Sequence, residues 1–195
     1  MNLRTLRNTA AVAVLAGALV AGLVAPADAA TAPSFAQWQS DVTAVTNPAM
    51  AYVQQRIAEA SSTSNLAIVL DIDNTSTENY YKSSYPNPAT PQVLAIAQYA
   101  TARGVKVFFV TARPDVIDEV TEYNLTHDGY HIDGLYSRNP IQLLEAINVF
   151  KTGERKSLES DGYDIIANIG NNDVDIEGGY ADSTWELPNY NGLLD

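Results

Sequence analysis

Asp71 and Asp73 stand one residue apart where an apolar run, Leu66-Ala67-Ile68-Val69-Leu70, gives way to polar sequence. On an extended chain, residues two apart start from the same side, so these carboxylates are close neighbours. They repel each other, and a divalent cation relieves that repulsion. The same ion would neutralise an incoming phosphate, leaving one carboxylate to attack phosphorus and the other to protonate the departing oxygen. A bare D-x-D also occurs as a turn with two solvated aspartates. A calcium loop of the EF-hand kind is excluded, because its sixth position is Ser76 where glycine is required and its twelfth is Lys82 where glutamate is required.

Two further apolar runs end in polar clusters. Residues 105–110 are followed by Thr111-Ala112-Arg113, and residues 165–169 by Gly170-Asn171-Asn172-Asp173-Val174-Asp175. In open parallel sheets ligands bind outside the carboxyl ends of the strands, so three such clusters converge on one crevice. Thr111, ahead of Pro114, reads as a helix N-cap whose hydroxyl also serves a phosphoryl oxygen. Arg113 and Lys151 are ordinary surface cations unless the wider pattern recruits them. His127 and His131, at and just past a helix end, read as solvated.

The elements that position these groups follow from periodicity. Helices are expected over 91–103, 114–128 and 151–161, each stopped by a glycine, Gly104, Gly129 or Gly162. Strands alternating with such helices read as parallel βαβ units, an α/β doubly wound sheet. Before them, residues 34–61 carry Phe35, Trp38, Val42, Val45, Ala49, Val53 and Ile57 at helical steps. Asn47-Pro48 is expected to divide that segment into two helices, with Pro48 at the first position of the second. Residues 76–91, with three prolines and three tyrosines, read as a lid or insertion. Tyr80, Tyr81 and Tyr85 within it either stack on a base or simply pack the loop.

The chain has 195 residues and a net charge of −12. Residues 1–30 have the layout of a signal peptide: Arg4 and Arg7, an uncharged run over 10–25, then Pro26 and Ala27-Asp28-Ala29. The run falls short of the ~20 residues that span a bilayer, so export without stable membrane association is expected. Residues 31–195 then form a single domain with 9 basic and 22 acidic side chains, a net charge of −13. Such a surface repels nucleic-acid backbones and anionic membranes, and excludes a nucleic-acid polymer as partner. An anionic small molecule must be drawn in by a metal ion or a few basic groups. There is no cysteine, hence neither disulfide nor lipoprotein anchor. Asn74-Thr75-Ser76 and Asn124-Leu125-Thr126 match the glycosylation sequon, a weak pattern.

Asp71-Ile72-Asp73-Asn74-Thr75 resembles the DxDxT signature of the haloacid dehalogenase (HAD) superfamily. The run ending in Thr111-Ala112-Arg113 resembles its second motif, Lys151 its third, and Gly170 to Asp175 its fourth. Thr121-Glu122-Tyr123-Asn124-Leu125 and the stretch from Phe150 through Arg155, Leu158, Gly162 and Tyr163 to Gly170 are similar to the HAD acid phosphatases of plants and bacteria, the subgroup that includes vegetative storage proteins. Trp185-Glu186-Leu187-Pro188-Asn189 looks like the closing strand of that group.

The resemblance implies a secreted acid phosphatase that hydrolyses small phosphomonoesters with magnesium. Asp71 would be the nucleophile and become phosphorylated; Asp73 would protonate the leaving alcohol and then activate water. Thr111 and Lys151 would hold the phosphoryl oxygens, with Arg113 as a second contact. Magnesium would be held by the Asp71 carboxylate, the Asp73 backbone carbonyl, and Asn171 and Asp175 of the fourth motif. Relatives often carry aspartate where this chain has Asn171; an uncharged amide oxygen implies a weaker site, with Asp173 as a substitute ligand. The same scaffold leaves open a phosphotransferase or 5′-nucleotidase, and a non-catalytic storage or phosphate-binding protein.

Overall fold

The computed structural model describes residues 31–194; the signal-peptide reading of residues 1–30 lies outside them. The order is α1 (Phe35–Glu59), β1 (Leu66–Leu70), α2 (Pro91–Thr101), β2 (Lys106–Pro114), α3 (Asp118–His127), β3 (Gly134–Arg138), α4 (Ile147–Ser160), β4 (Asp164–Gly170), α5 (Asp173–Ile176) and β5 (Thr184–Glu186). The five strands form one parallel sheet in the order β3-β2-β1-β4-β5. Because β1 lies in the middle and the order reverses beside it, the crevice for a ligand falls at the carboxyl ends of β1 and β4. Among the described residues, no helix is long and apolar enough to cross a membrane.

Both faces of the sheet are covered, which is why the strands read as unbroken apolar runs. Alternate residues serve alternate faces. Leu66, Ile68 and Leu70 of β1 join Val107 and Phe109 of β2 in a core shared with Trp38, Val42, Ala49 and Val53 of α1 and Val93, Ile96, Ala97 and Ala100 of α2. Ala67 and Val69 turn the other way, with Phe108 and Val110, onto Phe150 and Leu158 of α4. A register shift between Ala67 and Ile68 in the β1–β4 pairing lets both Ile166 and Ala167 face the first core.

Residues 34–61 carry one helix, Phe35–Glu59, rather than the expected two, with Pro48 inside it. Proline removes one main-chain donor and clashes with the preceding turn, a cost of ~3 kcal/mol. Trp38, Val42, Thr46, Ala49 and Val53 make one buried stripe along the whole length, and its burial outweighs that cost. Pro48 and Ala44 are both exposed, so the carbonyl left without its partner can be hydrated.

Two other boundaries moved. β2 runs on to Pro114, followed by a 3₁₀ turn, Asp115–Ile117, so Thr111 lies in a strand and does not cap a helix. α4 begins at Ile147, placing Lys151 in its second turn rather than at its start. β3 is an addition; the closing strand suggested by the resemblance is present as β5.

Candidate active site

Asp71 follows β1 directly, and its main-chain N–H donates to the Ile169 carbonyl of β4 at 2.9 Å. The residue is 7% exposed. Oδ1 accepts from Lys151 Nζ at 2.5 Å, and among the described residues Oδ2 takes no hydrogen bond. Lys151, 2% exposed, also donates to Asp175 Oδ1. Two side chains separated by 80 positions thus meet because α4 lays its buried face against the ends of β1 and β4.

Asp175 is fixed at both ends. Its Oδ2 accepts from the main-chain N–H groups of Asn171 at 3.1 Å and Asn172 at 3.0 Å. Its carbonyl accepts from Arg155 Nη1 at 2.6 Å and Asn168 Nδ2 at 2.8 Å. Arg155 is buried, and it also donates to the carbonyls of Glu177 and Gly179. Gly170 makes this turn possible, since a Cβ there would overlap the Asp175 side chain. Asn171 Oδ1 accepts from the Thr75 hydroxyl at 3.2 Å.

Asp73 faces the other flank. Its Oδ2 accepts from Arg113 Nε at 2.9 Å and its Oδ1 from Arg113 Nη2 at 2.7 Å, a bidentate pair, with Asn79 donating to Oδ1 as well. Arg113 Nη1 reaches the Thr121 hydroxyl of α3 at 3.2 Å. Between these motifs Asn74 takes a left-handed conformation, φ 54°, which asparagine tolerates. Its amide donates to the Leu194 carbonyl and accepts from the Tyr80 N–H.

These groups border a cleft of about 340 Å³ lined by Asp71, Asp73, Asn74, Ala112, Ile147, Lys151, Asn171, Asn172, Val174, Asp175 and Leu194. Of the residues singled out from sequence, Asp71, Asp73, Lys151, Asn171 and Asp175 come together there. Arg113 reaches the cleft only through Asp73. Thr111 is buried beside it, its hydroxyl accepting from the Arg113 N–H at 3.2 Å. Asp173 lines a neighbouring groove with Asp41 and Tyr190 instead. Tyr81 belongs to the core, ringed by Phe35 and Trp38, while Tyr80 and Tyr85 are exposed.

The electrostatics are dominated by buried charge. Among the described residues the Asp71, Asp73 and Asp175 carboxylates form ion pairs with Lys151 and Arg113, while the Arg155 guanidinium sits on the Asp175 carbonyl. Burial, with Asp175 close by, pushes the Asp71 carboxyl up to about 7 although Lys151 pulls it down. Burial alone would lower Lys151; Asp71 and Asp175 hold it above the ordinary lysine value. A carboxylate buried beside a second one is costly to ionise, and a cation at its unpaired oxygen would favour the charged form. Among the described residues no three histidine, cysteine, aspartate or glutamate side chains make a cation cage by themselves. A mixed set of oxygens could hold a cation: the Asp71 oxygen not taken by Lys151, the Asp73 carbonyl and the Asn171 amide oxygen, with the Asp175 carboxylate beside Lys151. All are hard oxygen donors, the type magnesium takes.

Sequence reasoning missed Asn79, Asn74, Ile147, Leu194, Arg155 and Asn168. Two had a signal: Arg155 lies one helical turn from Lys151, and Asn168 is a polar residue inside an apolar strand.

Fold and cleft together define an α/β protein with its acidic site at the switch point of a parallel sheet. The chain belongs to the HAD superfamily, subfamily IIIB (acid phosphatase), whose family model matches residues 19–193. It is 33% identical over 106 residues to the stem 28 kDa and stem 31 kDa glycoproteins of Glycine max. The match takes in 52% of this chain but only 42% and 36% of theirs. Its fold is similar to the class C acid phosphatase from Bacillus anthracis, with a TM-score of 0.60 and 20% identity over 74% of this chain and 67% of that one. The tungstate-bound structure of that enzyme gives a TM-score of 0.58 and 19% identity, with the same coverage of 74% and 67%.

Proposed function

We propose that this protein is a magnesium-dependent acid phosphatase that hydrolyses small phosphomonoesters through a phosphoaspartate on Asp71. The observation that carries the reading is the buried Asp71–Lys151 pair, 2.5 Å apart at the carboxyl end of the central strand. A carboxylate there can act as nucleophile, and an ammonium beside it can take the charge that builds on the phosphoryl oxygens. Magnesium, held by Asp71, the Asp73 carbonyl, Asn171 and Asp175, would supply charge neutralisation at the phosphoryl group.

Asp71 attacks phosphorus and the phosphorus–oxygen bond to the alcohol breaks. The alkoxide leaves with a proton from Asp73, which then takes a proton from the water that attacks the phosphoaspartate, freeing Asp71 and inorganic phosphate. While both Asp73 oxygens accept from Arg113, that proton cannot be presented. The incoming phosphoryl group is the anion for which Arg113 exchanges Asp73, and the hydroxyl of Thr111, which now accepts from the Arg113 N–H, is the further contact. Residues 76–91 serve as the cover beside this flank, and the leader-like sequence of residues 1–30 supports a reaction outside the cytoplasm.

Asp71→Asn, assayed with an aryl phosphate and magnesium, is expected to lower kcat by about 10⁴-fold or more; unchanged turnover would end this mechanism. A second reading, a phosphate-binding relative without turnover, is favoured by one observation, the uncharged Asn171 tied to Thr75. Phosphate release that ceases with a chelator and returns with magnesium rejects it. Release of phosphate to an added alcohol rather than to water would mark a phosphotransferase.

A further inference from the structure

Four apolar side chains, Ala112, Ile147, Val174 and Leu194, share the cleft with the catalytic carboxylates. Two of them lead into exposed apolar sequence. Ala112 is followed by Val116, 83% exposed, and Ile117; Ile147 is preceded by Ile141, Leu143 and Leu144, the last 89% exposed. Pro114 at the end of β2 pairs with Arg138 at the end of β3. The segments 115–117 and 139–144 therefore leave the sheet side by side, their nearest ends three residues from the cleft-lining Ala112 and Ile147 respectively. Isolated exposed apolar residues need no explanation, but paired runs continuing the walls of a cleft do.

The cations nearby are already committed. Lys151 is held by Asp71 and Asp175, Arg113 by Asp73, and Arg138 by the carbonyls of Gln142 and Glu145. Among the described residues none of these three is left for a second anionic group on a substrate, and a chain of net charge −12 repels one.

Resting on the phosphomonoesterase reading, we propose that the preferred substrate carries an apolar alkyl leaving group. Its chain runs from phosphorus at Asp71 past Ile147 and Ala112 onto the rim of Val116 and Leu144. Sugar phosphates and polyphosphates, which present hydroxyls or further charge to the same walls, are the poorer substrates.

The test uses the full chain with magnesium and a series of ethyl, butyl and hexyl monophosphates, with 6-hydroxyhexyl phosphate as a length-matched polar control. The leaving alcohols have nearly equal basicity, so the series varies burial alone. kcat/KM is expected to rise about two- to four-fold per methylene, with the terminal hydroxyl cancelling most of the gain. Leu144→Ser, at an exposed position, and Ile147→Ser are expected to flatten that rise. A flat or falling series, with ethyl phosphate still hydrolysed, overturns the inference and leaves the phosphatase reading intact. An undiminished rise in both variants overturns it as well. No release from any phosphomonoester overturns both.

Discussion

Lys151 and Arg155 stand four residues apart on one face of α4 and hold Asp175 from opposite sides, the ammonium on its carboxylate and the guanidinium on its carbonyl. One helix thus sets the position of the fourth motif relative to the third. Arg155→Met removes donors from the carbonyls of Asp175, Glu177 and Gly179, each bond worth ~1 kcal/mol. Tm is expected to fall by about 6–12 °C, and turnover at 25 °C by more than the folded fraction explains. Arg155→Lys recovers little, since an ammonium cannot span several carbonyls at once. Calorimetry paired with an aryl phosphate assay decides; an unchanged Tm would contradict the role given to Arg155.

Asn171→Asp restores a charge to the cation site while leaving an oxygen for the Thr75 hydroxyl. Magnesium affinity is expected to rise by roughly ten-fold, because cation sites are tuned by ligand charge. Isothermal titration of the metal alone, without substrate, reads this directly. Equal affinities would remove Asn171 from the ligand set.

Asn124 ties down residues 76–91. Its amide donates to the Asn87 carbonyl, and its oxygen accepts from the Asn87 N–H, both at 2.7 Å. Asn124→Ala is expected to speed limited proteolysis between residues 82 and 88 by about ten-fold, the effect of losing ~1.4 kcal/mol of local stability. Cleavage at the parental rate would show that other contacts carry the segment. The same burial means that Asn124, like Asn74, cannot accept a glycan once the protein has folded.

Asp133 links stability to pH away from the catalytic cleft. Burial alone would raise its pKa, but the Lys106 ammonium and the Val107 N–H hold it below the usual carboxylate value. A depressed folded-state pKa contributes stability that is present above the unfolded value of about 3.9 and is lost as pH falls through the folded one. Asp133→Asn should therefore lower Tm by about 2–4 °C at pH 7, the gap closing below pH ~4. Melting curves over pH 3–8 check it, and a gap that stays constant with pH would refute the assignment.

Much of the site was legible because its chemistry is written at strand ends: Asp71, Thr111 and Asn171 each follow an apolar run that burial on two faces demands. β3 was not legible, since Gly134-Leu135-Tyr136-Ser137-Arg138 is an edge strand with mostly half-buried residues and no continuous apolar signal. The division at Pro48 was read from a local rule that the buried stripe of α1 overrode. Leu194 reaches the cleft through a bond to Asn74, 120 positions away, and nothing local announces such a partner. Thr111 was misread as a cap because Pro114, though often a helix opener, here pairs as the last residue of a strand.

The groups assigned to chemistry issue from β1, β2, β4 and the helix packed beneath them, while β3 and β5 close the sheet on either side. Fraying at those outer strands loosens the rim at residues 139–144 and at Leu194, while Asp71, Asp73, Lys151 and Asp175 stay anchored to the inner strands and α4. Catalytic competence and the last cooperative unit to melt are therefore the same piece of structure, so inactivation by heat should track global collapse rather than precede it.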